Sequence, residues 1–181
     1  MLRCEWAKSD LDIVYHDNEW GKPLHNDKKL FELLILEGMQ AGLSWSIILK
    51  KREYMREAFD DFDAEKLSKY DDTKVGELMQ NPKIIRNRRK LEALVSNAKA
   101  FLAIQRTYGS FDKYIWSFVD NKPIINNWNE LKEIPLFTDV SDKMSKELKK
   151  QGFKFVGTTI CYSYMQATGM VNDHMSWCDS R

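Results

Sequence analysis

Four potential metal ligands stand as two pairs near the two ends of the chain. Cys4 and His16 lie near the N-terminus, and His174 and Cys178 lie near the C-terminus. If the second pair is helical, its two side chains face the same side, one turn apart. Two thiolates and two imidazoles complete a tetrahedral zinc shell without an open position, so the metal would be structural. Taken alone, the spacing favours ordinary thiols and surface or capping histidines, because no C-x2-C pair is present.

A second group combines one carboxylate with large aromatic side chains: Tyr15, Trp20, Glu37 and Trp45. A carboxylate beside buried apolar surface is unfavourable unless a positive or hydrogen-bonding group meets it. The faces of Tyr and Trp together with one carboxylate would suit a cationic aromatic ring. The alternative is that Glu37 caps its helix or pairs with Lys50 or Lys51, and that the aromatic residues belong to the core.

Residues 143–169 have the pattern of two helices joined by a tight hairpin. The first helix is predicted to end at Gly152, because glycine tolerates the left-handed conformation found at helix C-termini. The second is predicted to begin after Gly157, with Thr158 or Thr159 as its N-cap.

The loop between these two glycines offers a place for an anion. Its main-chain amides and those of the following helix N-terminus suit a phosphate, and Lys154 adds a positive charge. An ordinary αα-hairpin whose phenylalanines fill the core fits the same spacing.

Helical periodicity dominates the segments that must position these groups. Asp10, Asp27 and Ser44 are predicted N-caps, Asp63 begins a short helix, and Ser110 caps another. The segment after Asp27 is apolar nearly all round, which predicts a central, buried helix. Further helices are predicted over residues 11–20, 45–59, 73–80 and 84–108. Strand patterns are almost absent, and residues 121–138 are predicted to form a connecting loop, so the predicted fold class is all-α.

The totals predict an intracellular protein of one domain, or at most two small lobes. A chain of 181 residues with 43% hydrophobic residues can bury one core. No apolar run is long enough for a membrane span, and the N-terminus lacks the apolar region of a signal peptide. Three cysteines form no disulfide framework, which favours a reducing, cytoplasmic location.

Positive charge is unevenly distributed although the net charge is only +1. Residues 83–113 carry eight basic side chains against two acidic ones, and residues 143–154 carry five lysines against one glutamate. A nearly neutral protein with such blocks can still present one surface to phosphates.

Five segments together resemble the DNA-3-methyladenine glycosylase I family. They are MLRCEW, YHDNEWG, LFELLILEGMQAGLSW, ILKKRE and GFKFVGTTICYSYMQATGMVNDH, and with the late Cys178 they are spread from about Cys4 to Cys178, over nearly the whole length of the chain. The resemblance implies an all-α helix-hairpin-helix DNA glycosylase fold of two helical lobes, with residues 1–181 forming one domain. It also implies a monomeric enzyme of base excision repair that binds double-stranded DNA and hydrolyses the N-glycosidic bond of 3-methyladenine, without a membrane partner.

The same resemblance assigns roles to particular residues. Glu37 would be the catalytic residue, and the base would lie against Tyr15, Trp20 and Trp45. The hairpin contacts with DNA would come from Gly152, Lys154, Gly157 and Thr158. A structural Zn²⁺ would be held by the four residues that link the two ends of the chain, Cys4, His16, His174 and Cys178.

Four residues qualify the comparison with the family and its wider superfamily. Glycosylases that also cut the strand carry a lysine just after the last hairpin glycine, where this chain has Thr158 and Thr159, so a monofunctional enzyme is expected. Asp173 is the nearest candidate for a superfamily aspartate, but beside His174 it could equally support a metal ligand. Asp12 stands where some members have an aromatic residue.

Two other functions fit parts of the pattern. A helix-hairpin-helix module could bind DNA without chemistry, with Glu37 and the aromatic residues as core. A zinc hydrolase acting on a nucleoside is disfavoured, because the H-x-E and P-C-x-x-C signature is absent and four protein ligands would saturate the metal. Cys161, within an apolar helix, is predicted to be a core residue, and His25 an unpartnered surface residue.

Overall fold

The structure, a computed structural model, describes residues 1–181. Nine α-helices account for most of it: α1 (Asp10–Asn18), α2 (Asp27–Gln40), α3 (Trp45–Ala58), α4 (Ala64–Leu67), α5 (Asp72–Met79), α6 (Arg88–Tyr108), α7 (Phe111–Trp116), α8 (Asp139–Lys150) and α9 (Thr158–Ala167). The predicted helical class is confirmed. None of these helices combines the length and apolar composition that crossing a bilayer requires.

One small sheet was not predicted. Strand β1 (Ile124–Ile125) pairs in parallel with β2 (Val171–Asn172). Strand β1 lies inside the segment expected to be an irregular loop. Two residues on each side are too few to show an alternating pattern in the sequence. The pairing nevertheless attaches residues 121–138 to the segment that carries His174.

The N-caps of the first two helices lie one residue earlier than predicted. Ser9, not Asp10, caps α1, and Asn26, not Asp27, caps α2 by accepting from the amide of Lys29 at 3.0 Å. The carboxylate of Asp27 instead accepts from the amides of Phe111 and Asp112, at 2.9 and 2.8 Å. Where two capping residues are adjacent, a distant helix start competes for one of them.

The central position predicted for α2 is confirmed. Its buried residues run all round the helix, from Leu30 to Met39, and it packs against α3, α6, α7 and α9. These contacts belong to a continuous apolar core to which nearly every helix contributes. Helix α2 therefore gives its last turn, which contains Glu37, a rigid support.

The two ends of the chain are pressed together at glycines. Gly169 has a φ of 71°, and a Cβ there would lie 2.2 Å from the carbonyl carbon of Lys22. At Gly21, a Cβ would lie 2.9 Å from the ring of His174. Only glycine permits such close approach with a positive φ, so both positions bring the C-terminal segment against the end of α1.

The hairpin is formed by α8, a loop over residues 151–157, and α9. The predicted threonine cap is wrong, because Gly157 holds the N-cap position of α9 without a side-chain hydrogen bond. The hydroxyl of Thr158 lies 2.9 Å from that of Ser141, which ties the start of α9 to the first turn of α8. The predicted span of the hairpin is 143–169. Helix α8 begins before it, at Asp139, and α9 ends before its last residue, at Ala167.

Other departures are local. Helix α6 begins at Arg88, since Asn87 caps it and Ile84 lies in the preceding turn. His25 is on the surface as predicted, but it has a partner: its Nδ1 lies 2.8 Å from a carboxylate oxygen of Asp112. Cys161 is a core residue, as expected, and burial raises the pKa of its thiol to about 12.

Candidate active site and metal centre

A cavity of about 270 Å³ opens where α1, α2, α3 and α9 meet. All four residues of the predicted carboxylate–aromatic group line it. Its complete lining is Trp6, Tyr15, Trp20, Glu37, Gln40, Trp45, Ile134, Ser163 and Gln166. The group that the sequence spreads over thirty positions therefore forms one pocket.

Glu37 is the only acidic side chain in that lining. It is buried, and its carboxylate forms neither an ion pair nor a hydrogen bond within the protein. Burial raises its pKa from 4.5 to about 8. The alternative pairing with Lys51 is wrong, because the ammonium of Lys51 donates to the carbonyl oxygens of Pro82 and Lys83 at 3.2 and 3.0 Å.

The aromatic side chains form two walls, and one of these walls carries two unpaired donors. The ring centroids of Tyr15 and Trp45 lie 5.3 Å apart, and those of Trp6 and Trp20 lie 5.0 Å apart, edge to face. The hydroxyl of Tyr15 and the indole nitrogen of Trp45 are buried without a hydrogen-bond partner. Burial, and next the neighbouring Glu37, raise the pKa of Tyr15 well above its usual value, so it stays a neutral donor. Two unmet donors in an apolar pocket favour a ligand with acceptor atoms.

The four predicted metal ligands come together and are buried. Their ligand atoms lie within 4.8 Å of one another. The Sγ of Cys178 is 3.5 Å from His16 Nε2 and 3.4 Å from His174 Nδ1, and the Sγ of Cys4 is 3.7 Å from His174 Nδ1. Nitrogen and sulfur ligands at usual zinc distances lie about 3.5 Å apart in a tetrahedron. The donor set and its spacing fit a zinc ion.

The second nitrogen of each histidine is also held. His16 Nδ1 lies 2.8 Å from Asp17, and His174 Nε2 donates to the carbonyl oxygen of Trp20 at 3.0 Å. Such contacts fix the tautomer, so that the other nitrogen carries no proton and can bind a metal. Arg3 and then His16 lower the pKa of Asp17 to about 2, so it remains a carboxylate.

The cluster of Cys4, His16, His174 and Cys178 contacts two side chains that line the pocket. Trp20 packs edge-on against His174 with centroids 4.7 Å apart, and Trp6 packs in the same way against His16 at 5.3 Å. The order of the cluster therefore supports two of the pocket's aromatic side chains.

The segment from His174 to Cys178 is not helical, so the helical case considered from the sequence does not apply. The segment forms turns, in which the amide of Cys178 donates to the carbonyl oxygen of Met175. The ligands converge because β2 and residues 128 and 175 anchor the segment, not because of helical spacing.

The hairpin loop is rigidly mounted, with part of its backbone free. The amide of Lys154 donates to Asn97 Oδ1 at 2.8 Å, and Asn97 returns a hydrogen bond to the carbonyl oxygen of Lys154 at 3.1 Å. The prediction of free main-chain amides is therefore wrong for Lys154. The amides of Phe155, Val156 and Gly157 donate no hydrogen bond within the chain. The Lys154 side chain is exposed.

This loop also contacts the pocket-bearing helix. A Cβ on Gly38 would lie 3.3 Å from the Cβ of Phe155, so the hairpin rests on the residue next to Glu37. The loop turns there because Phe155 adopts a left-handed conformation with a φ of 57°.

One member of the predicted basic surface points inward. Lys90 is buried, and its ammonium donates to the carbonyl oxygens of Met39 and Ala41 at 2.8 and 2.7 Å. It thereby holds the C-terminal end of α2 near Glu37, since cationic side chains stabilise helix C-termini. The neighbouring Arg86, Arg88 and Arg89 are exposed.

Residues 6–181 match the model of a protein family described as methyladenine glycosylase. The chain belongs to this family. It is 51% identical over 179 residues to DNA-3-methyladenine glycosylase 1 of Escherichia coli, covering 98% of this chain and 96% of that protein. It is 50% identical over 177 residues to DNA-3-methyladenine glycosylase of Haemophilus influenzae, covering 97% and 96%.

Solved structures of proteins named 3-methyladenine DNA glycosylase I have the same fold as this chain. A variant of 3-methyladenine DNA glycosylase I in complex with 3-methyladenine superposes with a TM-score of 0.96 at 40% identity, covering 99% of this chain and 97% of that one. The overall architecture of this methyladenine glycosylase family member is therefore that of solved glycosylases.

Five pocket residues of this family member were not predicted from its sequence: Trp6, Gln40, Ile134, Ser163 and Gln166. Trp6 stands in one of the matching segments, and Gln40 follows Glu37 by three residues, so helical spacing could have indicated it. Asp12 is not in the pocket lining. It accepts from Ser9 and Ser46, and so joins α1 to α3.

Proposed function

We propose that this chain binds alkylated double-stranded DNA and hydrolyses the N-glycosidic bond of 3-methyladenine, in base excision repair. The observation that carries the proposal is Glu37, a buried carboxylate without a partner in an aromatic pocket. Membership of the methyladenine glycosylase family and the named glycosylases at about half identity support it.

The chemistry needs little from the protein beyond binding. Methylation at N3 gives adenine a positive charge, and the bond to the sugar is weakened because the departing base needs no added proton. The protein must take the nucleotide out of the duplex and hold the charged base. Water then attacks the oxocarbenium-like sugar.

The pocket offers matching groups for such a base. The carboxylate of Glu37 meets its charge and accepts from it, while Tyr15, Trp20 and Trp45 pack around the ring. The unpaired donors of Tyr15 and Trp45 can meet ring nitrogens that act as acceptors. Neutral adenine lacks both the charge and the weakened bond.

The hairpin is proposed to hold the DNA backbone. Gly152, Gly157 and Thr158 frame the free amides, and the exposed Lys154 adds charge where a phosphate would lie. Thr158 and Thr159 supply no amine nucleophile, which supports a monofunctional enzyme that leaves the strand uncut.

A zinc ion is proposed to have a structural role. Cys4, His16, His174 and Cys178 would hold it, and four protein ligands leave no position for water or substrate. The metal would fasten the two ends of the chain and keep Trp6 and Trp20 in place.

The deciding experiment is release of free base from methylated duplex DNA, resolved by chromatography. We expect release of 3-methyladenine, with 7-methylguanine retained in the DNA. The rival function is a DNA-binding module without chemistry, and it predicts binding but no released base from folded, zinc-loaded protein.

The activity is expected to depend on pH through Glu37. Because its pKa is raised to about 8, the carboxyl group of Glu37 is mostly protonated at neutral pH while the pocket is empty. The cationic base selects the ionised form, so kcat/KM should rise up to tenfold per pH unit below about pH 8 and level off above it. Single-turnover release between pH 6 and 9 measures this. A flat profile in the wild type would contradict it, and Glu37→Gln should lack the slope.

Lys154→Ala is expected to weaken DNA binding without changing base recognition. Loss of one phosphate contact should reduce the salt slope of log K against log[salt] by about 1. Fluorescence anisotropy over a salt series measures the effect. Lys69→Ala is the matched control, because Lys69 is also exposed but lies between α4 and α5. If both variants lost DNA affinity equally, the proposed contact between the hairpin and DNA would be contradicted.

A further inference from the structure

Asp173 is a buried carboxylate saturated by neutral donors. One oxygen accepts from Asn126 Nδ2 at 2.8 Å and Trp128 Nε1 at 2.7 Å. The other accepts from the Tyr162 hydroxyl at 2.6 Å and Gln166 Nε2 at 2.8 Å. The side chain is fully buried and does not line the pocket. It therefore cannot touch a base in the pocket, and any effect on catalysis must pass through its partners.

Of these four partners, only Gln166 lines the base pocket. A glutamine amide presents two donors at its nitrogen and an acceptor at its oxygen. A carboxylate only accepts, so the nitrogen of Gln166 must face Asp173, and the flipped amide would set two oxygens against each other. The amide oxygen of Gln166 accepts no hydrogen bond within the protein.

We propose that Asp173 is a positioning residue that holds Gln166 with its amide oxygen toward the pocket, where it accepts from the exocyclic amine of the bound base. This inference rests on the proposed function. The amine at position 6 carries the only N–H groups of N3-methylated adenine in the nucleotide. Its two hydrogens would be shared between Glu37 and Gln166.

The arrangement makes Gln166 a specificity residue. N3-methylated guanine carries an oxygen at position 6, and this oxygen would face the Gln166 oxygen without a hydrogen between them. Two unpaired acceptors in a buried site are unfavourable, so the 6-amino base is preferred. The locked amide cannot rotate to donate, because Asp173 holds its nitrogen.

The test measures single-turnover release of 3-methyladenine and 3-methylguanine from duplex DNA. Gln166→Met keeps the length of the side chain and removes the oxygen, so release of 3-methyladenine should slow about 10- to 100-fold, as for a hydrogen bond to a charged group. Release of 3-methylguanine should slow less, so the ratio of the 3-methyladenine rate to the 3-methylguanine rate should fall. Gln105→Met is the control, since Gln105 also donates to a carboxylate, that of Asp27, outside the pocket.

The role of Asp173 is tested by a double-variant cycle. If Asp173→Asn acts through Gln166, adding it to Gln166→Met should slow release little further, because the two residues then share one effect. Fully additive effects, or wild-type rate and preference in Gln166→Met, would overturn the proposal. If Asp173→Asn does not fold, slow hydrogen exchange of the Gln166 side-chain amide, seen by NMR, decides this part, and fast exchange contradicts it.

Failure of the proposed function would look different. In that case wild-type protein would release no base from either DNA. Binding of free 3-methyladenine, followed by fluorescence of the three pocket tryptophans, would still compare the wild type with Gln166→Met. Equal affinities there would count against Gln166 regardless of the reaction.

Discussion

Glu37→Gln is expected to reduce release of 3-methyladenine by about 10²- to 10³-fold, the range found when one electrostatic group is removed from an active site. Glutamine has the same shape, so the pocket remains, but it cannot match the charge of the base. No other acidic side chain lines the pocket to replace it. Single-turnover release with enzyme in excess over methylated duplex measures the change.

The same variant should keep its fold and its affinity for DNA. The raised pKa of Glu37 means that the folded state retains a proton that the unfolded chain loses, so wild-type stability falls as pH rises from about 4.5 to about 8. Glu37→Gln should lack this decline and be the more stable protein above pH 8. Full-rate release by Glu37→Gln would show that the carboxylate does not act on the base.

Cys178→Ala is expected to lose the metal and loosen both ends of the chain. Structural zinc sites supply about 10–16 kcal/mol of folding energy in small zinc domains, and loss of one ligand here should lower the free energy of unfolding by at least about 3 kcal/mol. For a chain of this size, that lowers Tm by roughly 10 °C. Metal analysis and thermal unfolding measure the two effects. Base release should then fall indirectly, because Trp20 packs against His174.

Cys161→Ala is the matched control for this experiment. Cys161 is also a buried free thiol, but it lies in α9 outside the cluster. Its variant should retain one zinc per chain and lose only the stability of a small buried group. Equal zinc content in the two variants would contradict the proposed metal centre, and a chelator should destabilise the wild type and Cys161→Ala alike.

The sequence by itself predicted the helical class, the central position of α2, and two groups of side chains that the fold brings together. Periodicity was sufficient for α2, because its apolar residues run all round the helix. Cys4, His16, His174 and Cys178 were identifiable by chemistry, since few residue types bind zinc. Spacing alone left the interpretation of Glu37 and of the four Cys and His residues open, and the resemblance of the matching segments to the glycosylase family favoured the pocket and zinc predictions.

Only the tertiary structure decided where side chains with several possible partners would turn. Lys90 belongs to a basic block, yet it points inward because two carbonyl oxygens at the end of α2 are within its reach. Asp27 does not cap its own helix, α2, but accepts hydrogen bonds from the amides at the start of α7. Asp173 gathers donors from residues 126–128 and from α9. Local sequence records propensity, whereas such contacts join segments far apart in the chain, and these segments meet only when the core has formed.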